Sequence, residues 1–157
     1  MVQTSRMGVD NPLVTQEDLM DHTGVGMIVY NKNKTKILLF HHRKYNFWTI
    51  PIGKVESPAT HYQTAVSELF EETDIKLTSQ DIKFLGSFYK TYNRGNGLKT
   101  KINQMLFEVL SYTGKPRNKE PDKHYKMKWL TFSEINHLKF TEEGISDLTK
   151  FMLLIKS

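Results

Sequence analysis

The chain has 157 residues, 38% of them hydrophobic and 25% charged, which excludes a disordered polymer and predicts a single globular domain with a proper core. No apolar run approaches the ~20 residues of a membrane span, and the opening MVQTSRMGVDNPL lacks the apolar stretch of an export signal, so an intracellular, cytoplasmic protein is expected. The absence of cysteine removes disulfides and thiolate metal sites, and a net charge of +5 suits phosphate-bearing ligands without demanding nucleic acid.

Residues 1–22 are expected to form an irregular arm ahead of a single domain over 23–157. Thr15 and Asp18 have the spacing to cap one short helical turn. The segment 22–30, HTGVGMIVY, reads as a buried strand, and 36–40, KILLF, as a second; the polar turn 31–34 between them predicts a hairpin. A short strand at 47–50 stops at Pro51. Ser57 is a suitable helix N-cap with Pro58 at the first helical position, where its missing N–H costs nothing. The helix that follows buries Ala65, Val66 and Leu69, and Asp74 stands where a left-handed residue often ends a helix.

Beyond the helix, 82–92 and 101–110 read as strands joined by a flexible turn over 93–97, and 113–123 as a polar loop. A last strand is expected at 127–131. Thr131 and Glu134 have capping-box spacing before a short helix through Leu138. Thr141 opens an amphipathic helix with Ile145, Leu148, Met152 and Ile155 on one stripe. The order of elements predicts an α/β (α+β) chain with a mixed β-sheet between helices.

One stretch stands out chemically. Glu68, Glu71 and Glu72 fall three and four residues apart, so they share a helix face near the C-terminal end. Like charges at that spacing repel one another, and they also meet the negative end of the helix dipole. A divalent cation removes both penalties. Mg²⁺ and Mn²⁺ prefer the carboxylate, carbonyl and water oxygens such a site offers.

The run Trp48-Thr49-Ile50-Pro51-Ile52-Gly53-Lys54-Val55-Glu56, followed by Glu68-Leu69-Phe70-Glu71-Glu72-Thr73-Asp74-Ile75, resembles the signature of the Nudix hydrolases. Gly53, Glu68, Leu69, Glu71, Glu72 and Ile75 match it. Ala59 replaces a glutamate, Ser67 an arginine and Asp74 a glycine. The resemblance spans about residues 23–140 and implies an α/β/α sandwich and a metal-dependent nucleotide pyrophosphohydrolase. It implies that Glu68, Glu71 and Glu72 hold Mg²⁺ or Mn²⁺, together with the main-chain carbonyl of Ile52. The family's brace between the replaced arginine and glutamate is lost as a pair, which is nearly neutral where loss of one partner is not. A general base is drawn either from the trio or from a later loop, where Glu120 is the candidate, with Asp122 and Glu108 behind it.

Phosphate contacts are expected from Arg43, Lys44 and Lys54, and base stacking from Tyr45, Phe47 or Trp48, the last equally suited to the core. His41 and His42 alternate along a strand, so at most one faces a site, and neither is expected to bind metal. The substrate class is a nucleotide-type small molecule, held by a monomer or homodimer; no residue indicates an RNA 5′ end. Two other readings stay open from the sequence. One is a weakly active or inactive member that binds nucleotides or a protein, motivated by the three replacements. The other is a basic RNA- or DNA-binding domain, which the scattered positive charges and missing nucleic-acid motif disfavour.

Overall fold

A computed structural model of the chain describes residues 6–138 and 144–156. The arm carries one short helical turn, α1 (Gln16–Leu19), and is followed by β1 (His22–Ile28), β2 (Ile37–His42), β3 (Phe47–Thr49), β4 (Ile52–Lys54) and α2 (His61–Thr73). A single 3-10 turn then leads to β5 (Ile82–Gly95), β6 (Leu98–Val109), β7 (His124–Leu130), α3 (Phe132–Leu138) and α4 (Asp147–Lys156). The strands form a four-stranded sheet in the order β4-β1-β6-β5 and a three-stranded sheet in the order β3-β2-β7. β1 is the hinge of the larger sheet, antiparallel to β4 and parallel to β6. No helix among the described residues is long and apolar enough to cross a membrane.

Side chains alternate across a strand, so β1 and β2 feed two separate cores. Val25, Met27, Val29, Leu38 and Phe40 pack with Ala65 and Leu69 of α2. Ile28, Ile37 and Leu39 pack on the other side with Ile135 of α3 and Leu148 and Met152 of α4. This is the expected sandwich, a mixed sheet layer between helices. α4 comes so close to β1 that a Cβ on Gly26 would lie 2.1 Å from Leu148 Cδ2, so only glycine fits there.

Four local expectations change. The hairpin between β1 and β2 survives only as its closing bridge, Tyr30 with Ile37; beyond it each strand is claimed by partners in a different sheet. α2 is capped by Thr60 instead of Ser57. The Thr60 hydroxyl accepts from the Gln63 main chain (3.1 Å) and the Gln63 side chain accepts from the Thr60 main chain (2.9 Å). That reciprocal pair satisfies two donors at the helix start, one more than the serine alone.

The turn predicted over 93–97 contracts to Asn96-Gly97, both with positive φ (53° and 77°), the conformation that matches strand twist in a two-residue hairpin. Arg94 consequently belongs to β5. At the C-terminal end, Ile145 lies in an extended bridge beside Trp48 and α4 begins at Asp147; Leu148 and Met152 are buried as expected, whereas Ile155 is exposed. Thr141 lies outside the described residues. The capping boxes at Thr15 and Thr131 form as the spacing predicts.

Candidate active site

A cleft of about 490 Å³ opens between β4, the C-terminal half of α2, the arm and the loop before β7. α2 lies directly on β4 because residue 53 has no side chain. A Cβ there would fall 2.3 Å from Glu68 Cγ, so Gly53 is what lets Glu68 settle onto the strand. Ile52, paired with Gly26, lines the same cleft. It is not among the residues with positive φ, so a β-branched side chain is tolerated there without backbone strain.

The three glutamates of α2 occupy three environments. Glu71 is exposed. Glu68 is half-buried, and burial, with Glu71 and Glu120 nearby, pushes its carboxyl up to about 7. Glu72 is 4% exposed, its Oε2 has no hydrogen-bond partner, and burial with Glu68 and Glu120 raises it well above the usual carboxylate range. Glu120 reaches this group from the loop after β6. Its Oε1 is buried without a partner, while Oε2 meets Lys123 Nζ at 3.0 Å. Burial works against the charge on Lys123, but Glu120, Glu68 and Glu72 raise it on balance.

Among the described residues, no three Asp, Glu or His side chains close into a finished metal cage. The donor set nevertheless fits a divalent cation, since two buried carboxylate oxygens, Glu72 Oε2 and Glu120 Oε1, lack any partner and are hard donors. The brace implied by the family is absent: Ser67 donates to Thr64 O of its own helix, and the loop before α2 is held by main-chain bonds, Val55 to Thr23 and Ala59 to Glu56.

The cations divide. Lys44 and Lys54 line the cleft and share Asp18, at 2.8 and 4.0 Å. Arg43 does not line it. Its guanidinium lies over the Tyr125 ring and donates from Nε to Pro121 O (2.9 Å), so it supports the Glu120 loop instead of reaching phosphate. Trp48 is 3% exposed, stacked on His41 in the core, and offers no face to a base; Tyr45 and Phe47 do line the cleft. Glu108 sits away from the carboxylates, bonded to Tyr30 and to Lys156 (2.7 Å).

Several cleft groups escape sequence reasoning. His42 faces the cleft and His41 does not, but His42 also meets His124 across the strands, ring edge to face at 5.5 Å. Burial first, then neighbouring positive charge, holds His42 down to about 3 and His124 to about 4, so both stay neutral. The arm supplies Met7, Leu13, Thr15, Glu17 and Asp18. It is fixed by Arg94, 1% exposed, which donates to Met7 O (2.6 Å), Asp18 O (2.8 Å) and Thr100 Oγ1 (2.9 Å). Only a partner search across the hairpin would have found this clamp.

The family that the chain matches is one of hydrolases of pyrophosphate bonds. Residues 20–150 match the NUDIX domain, and the chain belongs to the Nudix hydrolase family, whose members typically use divalent cations. It is 26% identical over 118 residues to YvcI, a Nudix hydrolase of Bacillus subtilis, covering 75% of this chain and 72% of that one. The same fold occurs in the MutT Nudix hydrolase of Burkholderia pseudomallei, with a TM-score of 0.72 at 20% identity over 88% of this chain and 99% of that one. A MutT protein of Methanosarcina mazei Go1 gives a TM-score of 0.68 at 15% identity over 87% and 94%. The family match begins after most of the arm, yet the arm lines the cleft.

Proposed function

We propose that the chain hydrolyses a phosphoanhydride bond in a nucleoside diphosphate linked to another moiety, using Mg²⁺ or Mn²⁺ and with water as the nucleophile. The observation that carries this reading is Glu72, a buried carboxylate with an unpartnered oxygen whose strongest charged neighbours are two further glutamates. Such a group is costly unless a cation meets it. Glu68, Glu71 and Glu72 would hold the ion with the main-chain carbonyl of Ile52. Bound there, a divalent cation neutralises phosphate charge and lowers the pKa of the attacking water.

The chain's own groups supply the rest. Glu120, with its buried Oε1 free of hydrogen bonds, accepts the proton of the water. Lys44 and Lys54, which line the same cleft, present their ammonium groups to phosphate oxygens, held ready by Asp18. Tyr45 and Phe47 offer ring surface to the nucleoside. The acceptor on Asp18 competes with the phosphates for both lysines, so phosphate binding is an exchange of partners.

The test is a panel of nucleotide sugars, dinucleoside polyphosphates, NADH, ADP-ribose and nucleoside triphosphates, incubated with Mg²⁺ or Mn²⁺. Turnover of a diphosphate-linked member, abolished by chelator and by Glu72→Gln, is expected. Absence of turnover across the panel, or turnover undiminished in Glu72→Gln, would overturn the reading.

A further inference from the structure

We propose that Asp74, which stands where the family pattern has glycine, is a positioning residue that sets Glu120 against the carboxylates of α2; this rests on the hydrolase reading above. Asp74 ends α2 in the left-handed conformation, φ 70° and ψ 9°, with its N–H donating to Phe70 O. Glycine adopts that conformation freely, and a side chain there is mildly disfavoured. The carboxylate must therefore be judged by what it holds.

It holds the loop that delivers Glu120. Asp74 Oδ1 meets Lys119 Nζ at 3.3 Å and Oδ2 meets Arg117 at 3.4 Å. The main chain of the same segment closes the helix end, Arg117 N donating to Thr73 O and Lys119 N to Glu72 O, both at 3.0 Å. These bonds satisfy carbonyls that a helix terminus otherwise leaves open, and the two cations sit at the negative end of its dipole. Lys119 also lies over the Phe70 ring at 4.4 Å. The approach is close enough that a Cβ on Gly114 would come within 3.2 Å of Asp74 O.

Glu120 is the next residue in the chain. On its far side the loop is pinned a second time, by Arg43 N donating to Lys123 O (2.8 Å) and Arg43 Nε to Pro121 O. Glu120 thus hangs between two anchors, and only the Asp74 anchor is built on the end of α2. Exposed ion pairs add little to stability. Positioning needs less, because a displacement of about 1 Å at a reacting group can cost ~10²-fold in rate.

Asp74→Asn and Asp74→Gly both accept the left-handed conformation and separate the carboxylate from the backbone. In each, kcat is expected to fall about tenfold with KM within twofold. Combined with Glu120→Gln, Asp74→Asn should cause no further loss, because it acts through Glu120. Without any substrate, amide exchange at Arg117 and Lys119 should accelerate in Asp74→Asn while the strands keep their protection. Unchanged exchange at those amides overturns the proposal, as does a loss of kcat that persists in full in the Glu120→Gln background. Wild-type protein that turns over nothing sinks the hydrolase reading instead, and the exchange measurement still decides whether Asp74 governs the loop.

Discussion

On the α2 wall of the cleft, Glu72 and Glu120 each bury a carboxylate oxygen without a partner. On the arm wall, Asp18 and Arg94 are just as deeply placed, yet Asp18 meets Thr15 N and Lys44 Nζ, both at 2.8 Å, and Arg94 makes three hydrogen bonds. Both walls bury charge. The difference lies in whether the fold gives each buried polar oxygen a partner. Where it does, the charge fixes structure; where it does not, the oxygen is left for the cation that the proposed function calls for.

The comparison breaks most visibly at Glu72. Glu72→Gln should lower kcat/KM by ~10²-fold or more, the scale of a lost acid–base or metal-binding group, while raising the melting temperature of the metal-free protein. Calorimetry in chelator, beside the rate assay, reads both effects. The opposite result is expected on the arm wall. Arg94→Met removes the shared donor to Met7 O, Asp18 O and Thr100 Oγ1 and should cost about 3 kcal/mol, seen as a lower urea midpoint in chelator and in Mg²⁺ alike.

Adding cation separates the walls again. Mn²⁺ at a hundred times its dissociation constant should stabilise wild type by about 2.7 kcal/mol and Arg94→Met by a similar amount, but Glu72→Gln hardly at all.

The smallest effect is a pH dependence. A carboxylate whose folded pKa is raised binds its proton more tightly folded than unfolded, so its contribution to stability falls as pH rises from its unfolded value toward its folded one. For Glu68 that window runs from about 4.5 to about 7. In chelator, Glu68→Gln should therefore gain melting temperature relative to wild type as pH goes from 5 to 8. His42 and His124 work the other way, losing stability as pH falls below about 6.5, but they are common to both proteins and cancel in the difference.

These residues also mark what was legible in the sequence. The glutamates of α2 were readable because helical periodicity fixes which side chains share a face. That Glu72 is the buried one was not, since the choice among adjacent acids is made by what packs around the helix, the clearance at Gly53 seating only Glu68. Glu120 was readable only through the family resemblance; its approach depends on hydrogen bonds between its loop and the end of α2. Arg94 was hidden in a stretch, Asn93-Arg94-Gly95-Asn96-Gly97, whose composition signals a loop, whereas strand pairing runs through it to the last two residues. The overall sandwich was legible because buried strands and amphipathic helices each announce their period. Partnerships between distant segments, such as His42 with His124 or Ile145 with Trp48, leave no local mark.

The parallel pairing of β1 with β6 has a consequence for how the site comes into being. Lys101 N donates to Asp21 Oδ1 across 80 residues of chain, and β1 has its full set of neighbours only once β6 is in place. During synthesis at ~5–20 residues per second, β4 and α2 therefore emerge several seconds before β6, the strand that completes their sheet. Through that interval the acidic helix has no interior in which to sink Glu72, and the repulsion among its carboxylates is relieved by water. The crowding of carboxylates around Glu72 is thus imposed late, when the closing strands lock the helix down.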